Sequence, residues 1–230
     1  MQHKIFIVIF AIMAFGFSRQ SYGRDNQQQW QRFLQEDQFT VYKGREDKSG
    51  SLPFKAEGNL RAPLRNLVMA IFDYSNKKRW APRLVRVDLL KRVSDKEFIF
   101  TEEYRAPWPA YHRLFHLHGA VSSPKEGIFI FAAKNAQPTK SEPCCITSDV
   151  KKIEIKLEKI KKNLTKVTFT FHGHFGGWIP SWQSNLILRK WPLKFLKGLE
   201  AYGTGITFTS PEYLRIEKLH PWLRHSANES

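Results

Sequence analysis

Sulfur is scarce in this 230-residue chain, which has three methionines and two cysteines, the latter adjacent at Cys144 and Cys145. Two cysteines cannot carry a disulfide scaffold, and neighbours in a strand point to opposite faces, so a bond between them would need a strained turn. They read as two packed thiols near a strand start, with a bridge between molecules as the lesser alternative. Acidic residues are short as well, 21 against 37 Lys and Arg, for a formal net charge of +16. A surface this basic attracts polyanions. No basic recognition helix, RNA-binding strand signature or zinc-finger spacing accompanies the charge, which argues against nucleic acid. Also missing are a Ser/His/Asp order, a nucleophile elbow, a phosphate-cradling glycine loop and a well-placed carboxylate dyad, so nothing points to hydrolytic or nucleotide chemistry. Internal repeats are absent. Beyond residue 17 no apolar run approaches the roughly 20 residues of a membrane span.

What is present begins with a leader-like N terminus. Lys4, an uninterrupted apolar run over residues 5–17, and a small, polar stretch with Ser21 and Gly23 spaced like a cleavage site predict a secretory signal peptide over residues 1–23. The expected product is exported, periplasmic or secreted, with an uncleaved anchor as the alternative. Removing Lys4 and Arg19 leaves 35 basic against 21 acidic residues, or +14. In an exported compartment an anionic membrane surface is the expected partner of such a charge, and nucleic acid is not. With 42% hydrophobic and 14% aromatic content the chain can build one core, so one domain over residues 24–205, an extension over 206–230 and a monomeric protein are expected.

The strongest local signal runs from Val167 to Tyr202. Val167, Phe169, Phe171 and Phe175 alternate with Thr168, Thr170, His172 and His174, the period of a strand with one apolar face. Gly176 and Gly177 break it. Beyond Pro180, the residues Trp182, Leu186, Trp191, Phe195, Leu196 and Leu199 recur at helical spacing, with Pro192 expected to kink or tighten the helix. Upstream, residues 25–38 read as a helix, 39–45 and 52–60 as strands, and Pro63 opens a helix through Phe72. Six strands are expected in succession over residues 84–92, 97–106, 110–122, 127–136, 146–159 and 164–174. Short turns between them imply an antiparallel meander ending in a long C-terminal helix, hence an α+β class with a sheet wrapped round a helix.

Several short motifs, in order, carry a resemblance. Phe54-Lys55-Ala56-Glu57-Gly58, then Asp73 with Arg79-Trp80-Ala81-Pro82, then Pro107-Trp108-Pro109 with Arg113-Leu114-Phe115, then Gly176-Gly177-Trp178-Ile179-Pro180-Ser181-Trp182 with Asn185 resemble a START (steroidogenic acute regulatory protein-related lipid transfer) domain over residues 26–205. The resemblance implies a helix-grip fold, a curved antiparallel sheet around a C-terminal helix, with a tunnel that holds one lipid or similar apolar molecule. It implies no metal, no cofactor and usually no catalysis. The leader suggests an exported, bacterial member. Leu114 stands where an acidic residue often follows the motif arginine, and Gly119 where some sterol binders carry a second basic residue, which puts sterol specificity in doubt.

The residues also nominate a polar anchor. Tyr111, Arg113, Phe115, Leu117, Gly119 and Val121 share one strand face, and Phe98, Phe100, Glu102 and Tyr104 share another. If the two strands pair through Pro107-Trp108-Pro109, Glu102 and Arg113 lie on one apolar wall within a residue or two of being opposite and are expected to neutralise each other, either fixing register or greeting the polar end of a ligand. The expected ligand-binding set is Phe100, Glu102, Tyr104, Trp108, Arg113, Phe115, Phe169, Phe171, Trp182, Asn185 and Leu186. The pairs His116/His118 and His172/His174 fall on the opposite face and read as exposed histidines rather than metal ligands. The leading expectation is a carrier or store for a hydrophobic small molecule that docks transiently on anionic membrane. Two alternatives stand beside it: an enzyme of the wider helix-grip superfamily, a cyclase or hydrolase using Glu102 as its acid or base, and a binder of an aromatic metabolite with no membrane role.

Overall fold

The computed structural model describes residues 30–48, 51, 53–137, 142–177, 181–206 and 210–225, with side chains in the helix that begins at Ser181 described from residue 189 onward. The expected leader lies outside these residues. Ten strands form one sheet: β1 (Gln31–Glu36), β2 (Phe39–Lys43), β3 (Phe54–Leu60), β4 (Leu84–Arg92), β5 (Glu97–Tyr104), β6 (His112–Ser122), β7 (Ile128–Asn135), β8 (Cys145–Thr147), β9 (Asp149–Lys161) and β10 (Leu164–His174). Helices α1 (Leu64–Phe72), α2 (Ser181–Gly205), α3 (Pro211–Leu219) and α4 (Trp222–His225) complete it, with a 3-10 turn at Lys77–Arg79. The spatial order is β1-β2-β3-β10-β9-β7-β6-β5-β4. The expected meander is there through β4, β5, β6, β7, β9 and β10, all antiparallel, and β3 closes against β10 with Phe54 opposite Phe171.

Two expectations are corrected. Residues 31–36 form a strand, not a helix: β1 pairs with β2 across the two-residue turn Asp37-Gln38, where Asp37 takes a left-handed φ of 52°. Phe33 and Leu34 are adjacent and a bulge sits between Arg32 and Leu34, so the apolar spacing that suggests a helix fits a bulged edge strand equally well, and the partner strand decides. The strand expected over residues 146–159 is split at Ser148, whose hydroxyl donates to the Phe175 carbonyl at 3.1 Å. Its first part, β8, lies parallel to the start of β6, pairing with His112–Leu114, a stretch that β7 leaves open because it pairs only with Leu117–Ser122.

Helix α2 crosses the inner face of the curved sheet, continuous through Pro192. Phe195, Leu196 and Leu199 are fully buried, and Phe195 packs on Phe169 and Trp80 with ring centroids 4.8 and 5.2 Å apart. Gly176 and Gly177, both at positive φ, turn the chain from β10 toward α2 in a space where a side chain on either would strike Ile146 or the Thr147 carbonyl. Helix α1 packs beside α2, held by Asn66 donating to the Gly203 carbonyl at 2.9 Å and by the Tyr202 hydroxyl donating to Asp73 at 2.6 Å. Residues 210–225 pack against the rest of the domain. Ser210 caps α3 and also donates to the Phe72 carbonyl, while Tyr213, Ile216 and Leu223 enter the same core as the sheet. Among the described residues no helix is long and apolar enough to cross a membrane.

Candidate functional site

Between the inner face of β5, β6, β9 and β10 and the underside of α2 lies a cavity of about 610 Å³. Behind its lining residue Phe131 the rings cluster: Phe72 meets Phe98, Phe129 and Phe131 edge-on at about 6 Å, and His220 before α4 packs against Phe129. Its walls are carbon, chiefly Phe100, Phe115, Phe131, Ile155, Phe169 and Phe171, roofed by Trp191 and Phe195. The Trp191 indole stacks on Phe195 and donates to the Pro82 carbonyl at 3.1 Å, so the roof is tied to the loop before β4. Gly119 sits where Phe98 and Phe100 leave no room. A β-carbon there would lie 2.8 Å from the Phe98 ring and 3.0 Å from Phe100, so the basic side chain that some sterol binders carry at this point is sterically excluded.

Strand alternation turns Glu102 and Arg113 into this space, as expected, and both line it. The register is the expected one, since Glu102 faces Phe115 and Arg113 faces Tyr104 in the β5–β6 ladder, within two residues of opposite; the ion pair is what differs. The partner of Glu102 is Lys77, whose Nζ lies 2.5 Å from the carboxylate with both side chains buried, while the Tyr104 hydroxyl donates to its second oxygen at 2.7 Å. Burial, then the Glu102 charge, pushes the Tyr104 phenol well above its ordinary pKa, so Tyr104 stays a donor. Arg113 donates to the Tyr111 carbonyl, and burial lowers its pKa. A carboxylate held by an ammonium and a phenol is a fixed acceptor, which suits orienting a polar group rather than shuttling protons.

Seven expected ligand residues line the cavity: Phe100, Glu102, Tyr104, Arg113, Phe115, Phe169 and Phe171. Trp108 does not. It is 89% exposed on the loop between β5 and β6, beyond the strand ends, where neither the sheet nor α2 can cover it. Trp182, Asn185 and Leu186 belong to α2 but their side chains lie outside the described set. Sequence reasoning missed Lys77 as a site residue. Its only signal is a lysine next to the buried Trp80-Ala81 pair, in a run of cations that reads as an exposed helix end.

On the outer face two further expectations change. His116 is 5% exposed rather than open to solvent, and burial lowers its pKa against the opposing pull of the Glu142 charge. His118 and His172 are partly buried against Glu97 and Asp47. Cys144 and Cys145 are joined to each other in a disulfide instead of standing as two thiols. With Glu103 and Glu142 they bring four ligand-type atoms within 4.8 Å of one another. A disulfide offers no thiolate to a metal, and both carboxylates already bind Arg86. Burial works against the Glu103 charge, but hydrogen bonds from Arg86 and His112 outweigh it and its pKa is lowered.

This architecture and the sequence both find relatives. The START domain model matches residues 21–203. The chain belongs to the START domain family. Its START fold superposes on human STARD10 with a TM-score of 0.69 at 13% identity, over 86% of this chain and 82% of that one. A STAR-related lipid transfer protein fragment from Xanthomonas axonopodis superposes with a TM-score of 0.63 at 22% identity, over 76% and 98%. An uncharacterised Pseudomonas aeruginosa protein is 22% identical over 85% of this chain and 95% of its own. At these identities the structural likeness speaks to the fold alone, the helix-grip arrangement of curved sheet and C-terminal helix. START domains as a class bind lipids or other hydrophobic ligands and are typically not enzymes, although some helix-grip relatives are.

Proposed function

We propose that this START domain binds one hydrophobic small molecule in the interior cavity and carries or sequesters it without chemical change. The observation that carries the reading is the cavity itself: about 610 Å³, within the roughly 300 to 1,000 Å³ of small-molecule sites, apolar on its walls and with one fixed polar cluster at Lys77, Glu102 and Tyr104. That composition suits a greasy body with a polar feature. The reading extends to an exported monomer, released by cleavage near residue 23, that meets its cargo by docking transiently on anionic membrane. The basic surface and the exposed Trp108 and Tyr111 beside the cavity mouth support the docking.

Native mass spectrometry of the purified protein tests the reading. A co-purifying organic molecule at one copy per chain, displaced by an added long-chain amphiphile, is the expected result. A bare protein that also takes up no added amphiphile refutes it.

A further inference from the structure

The cavity has a charged rim that its apolar walls do not explain. Arg83 immediately precedes β4 and Arg105 immediately follows β5, and the Arg105 amide donates to the Arg83 carbonyl at 2.9 Å, so one edge of the mouth carries two guanidinium groups on joined backbone. Lys190 and Lys194 stand one turn apart on α2, hence on one helix face. All four line the cavity and all four are exposed. Among the described residues none of the four takes part in an ion pair or side-chain hydrogen bond. Among the described residues the only carboxylate in the lining, Glu102, is already held by Lys77.

Some cations elsewhere are balanced locally. On the outer face Lys152 meets Glu154, Lys156 meets Glu158 and Lys55 meets Glu57, each two residues apart on one strand. With 37 basic against 21 acidic residues many cations must stand without an acid; what sets these four apart is that all of them line one cavity. Like charges at i and i+4 on a helix oppose its stability, so the arrangement has a local cost and no structural return.

We infer that the cargo is an amphiphile with an anionic end, a carboxylate or a phosphate, seated at the mouth between Arg83, Arg105, Lys190 and Lys194 with its apolar body running inward to Phe100. This rests on the cavity-binding reading above and narrows it. Length and volume agree. Along β5 from Phe100 to Arg105 the wall spans about 17 Å at the strand rise of about 3.3 Å per residue. A dry cavity of about 150 Å³ holds benzene, or about 25 Å³ per carbon, so 610 Å³ takes about two dozen non-hydrogen atoms. That is one chain or one fused-ring body with its head, not a two-tailed phospholipid enclosed whole. Guanidinium groups bind either anion in bidentate fashion, and lysines add charge. Inside, the Lys77–Glu102–Tyr104 cluster meets any hydroxyl that the body carries.

Calorimetric titration of the full chain with tetradecanoate and with tetradecanol, and with lysophosphatidic acid against lysophosphatidylcholine of the same chain, tests the assignment. Each anionic member is expected to bind at least about tenfold more tightly than its neutral or zwitterionic match, and the preference is expected to shrink severalfold in Lys190→Gln/Lys194→Gln and in Arg105→Gln. Equal binding within each pair overturns the anionic head and leaves the cavity reading standing; no binding by any of the four overturns both. A preference undiminished in the variants removes these side chains from the site. Inorganic phosphate alone binding as tightly as lysophosphatidic acid makes the rim a free-anion site and overturns the amphiphile. Variants that keep the preference yet lose binding to phosphatidylglycerol vesicles transfer the rim to membrane docking and overturn the proposal.

Discussion

Lys77 is the residue on which the cavity's polar cluster depends. Its side chain and that of Glu102 are 6% and 7% exposed, so each charge is tolerated only through the other. Lys77→Met leaves a buried carboxylate with a single phenol and is expected to lower unfolding stability by about 3–5 kcal/mol. Lys77→Met combined with Glu102→Gln is expected to recover most of that loss, since no charge is then stranded. Urea denaturation of the three proteins checks this, and a double variant no more stable than the single refutes it. Glu102 as an inward-pointing residue was legible from strand alternation, because the β period is strict. Its partner was not, because Lys77 comes from a turn 25 residues earlier in the chain and only the packing of that turn against β5 brings the two together.

Helix α2 is where one element serves both stability and the site. Trp191 packs against Phe169, Phe195, Tyr104 and Phe54 with centroids 5.1 to 6.4 Å apart, and it also faces the cavity. Trp191→Ala removes the roof and its bond to the Pro82 carbonyl; a loss of about 3 kcal/mol is expected, the low end for Trp→Ala because the ring is only partly buried. The enlarged cavity is expected to shift the best-bound chain in an alkyl series to longer members, read by competitive binding, and an unchanged optimum would show that Trp191 does not bound the site. The stripe that places α2 on the sheet was readable at 3.6-residue spacing. The short apolar groups near the N terminus were not, since Phe33 and Leu34 satisfy a helix and a bulged strand alike and only β2 arbitrates.

At the scale of the whole molecule the excess of cations governs encounter. Attraction to an anionic surface is screened as the Debye length falls from about 10 Å at 0.1 M salt to about 3 Å at 1 M. Co-sedimentation with phosphatidylglycerol-containing vesicles is therefore expected to fall severalfold across that range and to be weak on neutral vesicles at any salt. Binding indifferent to salt would remove electrostatic docking. The segment beyond α2 contributes at this scale too: Tyr213 of α3 and Leu223 of α4 join the same core and His220 between the helices packs on Phe129, although the START domain model ends at residue 203.

The amino-acid order alone determined the strand faces, the glycine turn into α2, the apolar stripe of that helix and the basic balance, because each is written by residues near one another along the chain. Tertiary structure alone decided that Lys77 answers Glu102, that His116 is covered and that four cations beside β4, beside β5 and on α2 line one cavity. Those outcomes depend on sheet curvature and strand register, which set distances between side chains far apart in the chain and which no local period encodes.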